Sequence, residues 1–199
     1  MDTLPEWASD PRTLTLTEAQ YDGLPDQARK LVEVVDGNVI LRQRGTPEHS
    51  DVSRRLANAL EAAKPDDPCH RISTDINMHF VKRRRADGKL TFRRPDVLVY
   101  RCIRRGGKVT TADAELVAEV ISPSSGHYMG TVDKLAEYAN EGIPVYLVVS
   151  LGDDQYIRLV REYRLDWASR TYHLAETHER VLELEVPFPV TVDFKELDG

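Results

Sequence analysis

Two carboxylates stand where packing alone would not put them. Asp96 opens the apolar run Val97-Leu98-Val99-Tyr100, and Glu119 lies inside Leu116-Val117-Ala118-Glu119-Val120-Ile121. Taking a carboxylate out of water is costly unless it gains a cation or good hydrogen bonds. Both segments read as strands, joined as a hairpin through Arg104-Arg105-Gly106-Gly107-Lys108. Antiparallel partners share a constant index sum, and positions 96 and 119 sum to 215, with a midpoint inside that loop. The two acids are then cross-strand neighbours on one face, about 5 Å apart at Cβ. Oxygen ligands so placed suit a hard divalent cation.

A lysine completes the set. Lys134 falls in the first turn of a helix that follows the Glu119 strand, so its ammonium can approach the acid pair and serve a phosphate or an attacking water. A helix-surface lysine is ordinarily solvated, and only the company of Asp96 and Glu119 makes this one specific.

The elements that must position these groups follow from periodicity. Thr17-Glu18-Ala19-Gln20 has the form of a capping box opening a short helix, interrupted at Gly23 and Pro25. Asp36-Gly37 between Val32-Glu33-Val34-Val35 and Asn38-Val39-Ile40-Leu41 is a strong hairpin signal. A helix is expected from Pro47 to about Ala63, with Val52, Leu56, Ala59, Leu60 and Ala63 at helical spacing and Pro65 beyond it. Ile72, Thr74, Ile76, Met78 and Phe80 alternate with polar residues as one half-buried strand, and Lys82-Arg83-Arg84-Arg85 with Asp87-Gly88 makes the next turn. After the carboxylate hairpin come a loop, a helix from about Thr131 to Asn140 and the apolar strand Val145-Tyr146-Leu147-Val148-Val149. Strand, helix and strand in that order predict a crossover with parallel strands. Short strands over Tyr156 to Tyr163 and Arg170 to Leu174 suggest an antiparallel C-terminal extension.

Composition narrows the class. The 199 residues predict one domain, 1–199 with a core over roughly 30–152, and 41% hydrophobic with 30% charged content is that of an ordinary globule. No apolar run approaches the length of a membrane helix, and Met1-Asp2-Thr3-Leu4-Pro5-Glu6 lacks a basic then apolar signal region, so a cytoplasmic location is the default expectation. Cys69 and Cys102 are read as two buried thiols. The net charge of -6 argues against a sequence-independent nucleic-acid coat but not against a local basic groove. Arg83, Arg84, Arg85, Arg93, Arg94, Arg104 and Arg105 fall near the turns beside the acid pair and are the candidates to line one, although charge runs in turns are more often simply solvated. His49 is a candidate to contact phosphate or assist proton transfer, but a helix-terminal or core histidine making ordinary hydrogen bonds is the safer reading; Tyr138 is read as packing, and His127, in the loop before the helix, is a weak candidate to face substrate.

The order Pro95-Asp96, Glu119-Val120-Ile121-Ser122-Pro123-Ser124, Lys134-Leu135 with Tyr138, and Gly142-Ile143-Pro144-Val145-Tyr146 resembles the Uma2 family of restriction-endonuclease relatives, a branch of the PD-(D/E)XK nuclease superfamily. Glu33-Val34-Val35-Asp36-Gly37 and Pro47-Glu48-His49 fit the same pattern, so the resemblance covers nearly the whole chain. It implies an α/β fold with a restriction-endonuclease-like core, that is, a mixed β-sheet with flanking helices, here with an N-terminal hairpin and the C-terminal extension. It also implies a Mg²⁺ cofactor, for which Mn²⁺ substitutes, and hydrolysis of phosphodiester bonds in DNA. Asp96 and Glu119 would be metal ligands, with the Val120 carbonyl as a backbone ligand. Ile121 stands where the superfamily carries its lysine, so that role passes to Lys134; Gly130 stands where many relatives carry an acid, with Asp133 nearby. Glu33 stays open between a fourth site acid and an exposed strand carboxylate. A homodimer is attractive for cutting both strands. The rival expectations are a catalytically inactive module of this fold that binds DNA or a protein partner, and a metal-dependent hydrolase of nucleotides or RNA.

Overall fold

The computed structural model describes residues 15–42, 45–82, 89–123 and 128–199. The apolar runs sort into three sheets. In the largest, His70–Ser73 (β3), Val97–Arg101 (β6), Ala114–Ile121 (β7), Val145–Leu151 (β8), Ile157–Asp166 (β9) and Thr171–His178 (β10) lie in the order β10-β9-β8-β7-β6-β3. Only β7 and β8 pair in parallel, joined by the crossover helix Tyr128–Glu141, designated α4. Their almost unbroken apolar sequence is that of strands covered on both faces.

One face of this sheet carries Val97, Val99, Leu116, Ala118, Val120, Leu147 and Val149 against the helix Pro47–Ala63 (α3). The Thr46 hydroxyl caps α3 by accepting from the His49 amide at 3.2 Å, and Pro47 suits the first turn, where its missing donor costs nothing. The other face holds Leu98, Val117, Tyr146 and Val148 against Tyr138 and Ile143. Glu119 shares the parity of Val117, so its side chain rises on the α4 side. Gly142, at φ +90°, ends α4, its amide donating to Tyr138 and Ala139 carbonyls and that of Ile143 to Tyr138.

The N-terminal part builds a second sheet. The helices Glu18–Asp22 (α1) and Asp26–Arg29 (α2) precede Val32–Val35 (β1) and Asn38–Leu41 (β2), and Met78–His79 (β4) and Phe92–Arg93 (β5) complete the order β2-β1-β5-β4. Thr17 and Gln20 form the expected capping box. At the hairpin tip Asp36 and Gly37 have φ of 52° and 79°, the left-handed pair of a type I′ turn. The third sheet pairs Val181–Leu184 (β11) with Val190–Asp193 (β12), and Phe194–Asp198 (α5) closes the chain against α3.

Several expectations are revised. The single strand over residues 72–80 divides into β3 and β4, which join different sheets; Asp75, at φ 54°, makes the break and donates its amide to the Pro95 carbonyl. The carboxylate hairpin is closed by the longer stretch 102–113, whose residues Val109 and Thr111 bond to His79. The strands foreseen as a C-terminal extension continue the main sheet through β8–β9 pairing, and the extension proper is β11, β12 and α5. Cys69 and Cys102 are not buried thiols: they form a disulfide between residues just outside the paired ends of β3 and β6. Their backbones already meet there, the Cys102 amide donating to the Cys69 carbonyl at 3.0 Å. No helix among the described residues is long and apolar enough to cross a membrane.

With a sequence separation of 33, opening this cross-link by Cys102→Ser is expected to cost about 2–4 kcal/mol in urea unfolding. Denatured but unreduced protein should show no reactive thiol.

Candidate active site

The register delivers both acids to one place. Val97 pairs with Ala118 and Leu98 with Val117, an index sum of 215 that places Asp96 beside Glu119 where β6 begins. Both side chains are buried, with 9% and 7% exposure. Asp96 Oδ2 accepts from the Val120 amide at 2.8 Å and lies 3.1 Å from His49 Nε2. Asp96 is thereby tied to β7 and to the first turn of α3. Its Oδ1 has Arg42 Nη2 at 3.9 Å. Glu119 turns its two oxygens to α4: Oε2 is 2.8 Å from Lys134 Nζ, and Oε1 accepts from the Tyr138 hydroxyl at 2.9 Å. Lys134 and Tyr138 are one helical turn apart and reach the same carboxylate for that reason.

Glu33 is not an exposed strand carboxylate. It is 4% exposed, Oε1 accepting from the Arg94 amide at 2.8 Å and Oε2 from Arg93 Nη1 at 2.9 Å. The same guanidinium forks onto Glu137 of α4, Nε to Oε2 at 2.8 Å and Nη2 to Oε1 at 2.9 Å. Arg93 and Arg94 are consequently interior residues and do not line a groove. Arg94 bonds Asn77 and, at 3.3 Å, the Tyr21 hydroxyl. Arg104 and Arg105 are exposed in the long loop, as is Asp133 on α4, while Arg83, Arg84, Arg85 and His127 lie outside the described residues.

The two acids differ in charge state. Burial would raise Asp96, but the hydrogen bond and charge of His49, the charge of Lys134 and the Val120 amide hold it below the usual carboxylate range. Burial pushes Glu119 up to about 7; the charges of Asp96 and Glu33 add to the rise, against Lys134. Burial opposes the charge on Lys134, yet the carboxylates of Glu119, Glu33 and Asp96 raise its affinity for the proton above that of a free lysine. His49 is raised in the same way, Asp96 and Glu119 outweighing burial. The pocket is therefore rich in acidic groups, with Lys134 and His49 both held toward their protonated forms beside them.

Asp96, Glu119 and Lys134 come together, Glu33 lies beside them through Arg93, and Val120 meets Asp96 through its amide. Arg42 was not foreseen as a site neighbour, Tyr138 was expected only to pack, and His49, whose ordinary structural reading is the safer one, lies against Asp96. The Thr46-Pro47 start fixes His49 in the first helical turn, and spacing of four places Tyr138 on the Lys134 face, but which faces meet the acids is a tertiary fact. A second carboxylate and imidazole group, Glu162, Glu176 and His178, has ligand atoms within 4.8 Å of one another on β9 and β10. Its Glu162 already pairs with Arg164 and with His178 Nε2, while His178 turns its other nitrogen to Glu176. One imidazole cannot offer both nitrogens to one ion, so this group reads as an ion-pair network.

A mixed sheet with an antiparallel carboxylate hairpin and a parallel crossover defines a restriction-endonuclease-like α/β protein. The chain belongs to the Uma2 family, described as "Putative restriction endonuclease", whose model matches residues 18–195. Among solved structures it is similar to a putative nuclease belonging to DUF820 from Anabaena variabilis, with a TM-score of 0.64 at 16% identity, over 92% of this chain and 97% of that one. No curated protein matches it. Family and fold together support a nuclease.

Arg93→Met removes the cation from between the buried Glu33 and the partly buried Glu137 carboxylates and is expected to cost about 3–5 kcal/mol in urea unfolding, whereas Tyr138→Phe, which loses one neutral donor, should cost about 1 kcal/mol.

Proposed function

We propose that this protein is a metal-dependent endonuclease hydrolysing phosphodiester bonds in DNA, with Asp96 and Glu119 as ligands of Mg²⁺ or Mn²⁺. The observation that carries the reading is the buried acid pair with Lys134 2.8 Å from one member. A hard cation fits this donor set. Among the described residues the cation beside Asp96 Oδ1 is Arg42, at 3.9 Å, and burial together with the charges of Asp96 and Glu33 keeps Glu119 protonated up to about 7 in spite of Lys134, so a further cation there would be favoured. The Val120 carbonyl leaves the strand on the side of its amide, toward Asp96, and suits the backbone ligand.

When bound, a divalent cation supplies Lewis-acid stabilisation of phosphoryl charge and an acidified water. The remaining tasks fall to side chains. His49 and the Val120 amide hold Asp96 Oδ2 and so direct Oδ1 outward. Tyr138 fixes the Glu119 carboxylate plane. Lys134, kept protonated by the acids around it, orients the attacking water or meets the charge that develops on the phosphate. Glu33 acts at one remove, anchoring Arg93 and adding to the field that keeps Lys134 charged. Cleavage of both strands of a duplex calls for two copies, and a homodimer belongs to the proposal.

Incubation with plasmid, linear duplex and single-stranded DNA plus Mg²⁺ or Mn²⁺ should give nicks or cuts that EDTA blocks and Glu119→Gln abolishes. Lys134→Ala should lower the single-turnover rate by about 10²-fold or more at saturating metal, with poor rescue by Lys134→Arg. DNA binding without cleavage across these conditions would instead make the protein a binding module.

The pH dependence has a definite sign. Below about 7 Glu119 holds a proton that metal binding must expel. Mn²⁺ affinity, followed by calorimetry, should therefore rise about tenfold per pH unit below that value and level off above it. Proton release should fade over the same range, and an affinity flat from pH 5 to 8 would remove Glu119 from the ligand set.

A further inference from the structure

Asp96, the more accessible member of the acid pair, opens sideways into a groove that the site residues alone do not explain. A cleft of about 450 Å³ holds Asp96 and His49 together with Lys30, Ser50 and Arg54. A second, of about 690 Å³, lies between α3 and the edge strand β3, with Asn58 and Lys64 on one side and Arg71 and Ser73 on the other. Arg54 and Thr74 line both, so the two clefts adjoin, and side by side they make a channel along α3. From Ser50 to Lys64 it follows α3 for roughly 21 Å at 1.5 Å per residue.

Its lining is unlike the rest of the molecule. The basic residues are Lys30, Arg42, Arg54, Lys64 and Arg71, five in all, and the acids are Glu61, Asp75 and Asp96, three in all. The channel is thus net positive in a chain of net charge -6. Arg42 is committed to Asp75, and Lys64 to Glu61 at 2.5 Å. Arg54 keeps 58% of its side chain exposed despite its pair with Asp51, and Lys30 and Arg71 are exposed with no ion pair among the described residues. Between the charges lie the partly exposed apolar side chains of Ile72 and Ile76, with Ala57 and Tyr100 buried beside them. Charges that track a backbone above a surface that accepts base faces are the two needs of an unpaired nucleic-acid strand. A duplex keeps its base faces stacked inside and has no use for such a floor.

We propose that one unpaired DNA strand flanking the scissile phosphate lies in this channel, its phosphates on Lys30, Arg54 and Arg71 and its bases against Ile72 and Ile76. The proposal deepens the endonuclease reading and rests on it for the position of the cleaved bond. It moves the DNA path away from Arg104 and Arg105, in the exposed loop at the other end of the carboxylate hairpin.

Fluorescence anisotropy with a labelled oligothymidylate in EDTA tests the path without any need for cleavage. The double substitution Arg54→Glu, Arg71→Glu should weaken binding at least tenfold and flatten the salt dependence by about 0.7 for each lost phosphate contact. Arg104→Glu with Arg105→Glu should leave both nearly unchanged, and the groove variant should lose little affinity for a blunt duplex. Unchanged strand binding in the groove variant overturns the proposal, as does an equal loss for the duplex or a loss confined to the loop variant. Mn²⁺ calorimetry on the same proteins keeps the two readings apart. Metal binding should survive in the groove variant, and a wild type that binds the strand but no metal would refute the cleavage site while the channel stands.

Discussion

The guanidinium of Arg93 is the cation around which the interior charges are arranged. From β5 it reaches Glu33 on β1 and Glu137 on α4, so one side chain joins the small sheet to the crossover helix. Two carboxylates withdrawn from water need such a partner, and a planar fork with several donors can serve both where an ammonium could not. The position of α4 depends on that clamp. Since α4 delivers Lys134 and Tyr138 to Glu119, the geometry of the candidate site is inherited from an ion pair that touches neither acid of the hairpin.

The same arrangement divides labour between two acids that sequence alone makes look equivalent. Asp96 gains an imidazole, an amide and a nearby ammonium and stays ionised. Glu119 is pushed up by burial and by two other carboxylates, against one ammonium, and holds its proton to about neutrality. Neighbouring groups whose surroundings push their proton affinities apart can act differently in one reaction. Here the asymmetry comes from which elements face each carboxylate, α3 for Asp96 and α4 for Glu119.

Much of this was legible before any coordinates. The constant index sum of an antiparallel pair points to Asp96 beside Glu119, and a one-residue slip from that register would turn one of them onto the other face. The α3 start at Thr46-Pro47 and the Asp36-Gly37 turn were readable because capping and left-handed backbone demand particular residue types. The fates of Arg93 and Arg94 were not, since a pair of arginines in a turn has the same local signature whether it meets water or buried glutamates. Nor was the break at Asp75, because the alternation from Ile72 to Phe80 continues across a change of sheet. Two isolated cysteines announce no pairing until β3 is laid against β6, and His49 acquires its partner only when α3 crosses the sheet.

The bulge in the carboxylate hairpin has a consequence for how the chain can vary. Between Val99 and Tyr100 the pairing with β7 slips by one residue, so Tyr100 faces Ala114 while Val97 still faces Ala118. The slip lies between the long connecting loop and the two acids, and an irregularity already present can take up another residue without disturbing the ladder beyond it. Length changes in the loop are thereby uncoupled from the spacing of Asp96 and Glu119. The loop can therefore lengthen or shorten on the far side of the slip, while the three paired rungs between the slip and the acids, Val97 with Ala118, Leu98 with Val117 and Val99 with Leu116, admit no insertion without moving Asp96 off Glu119.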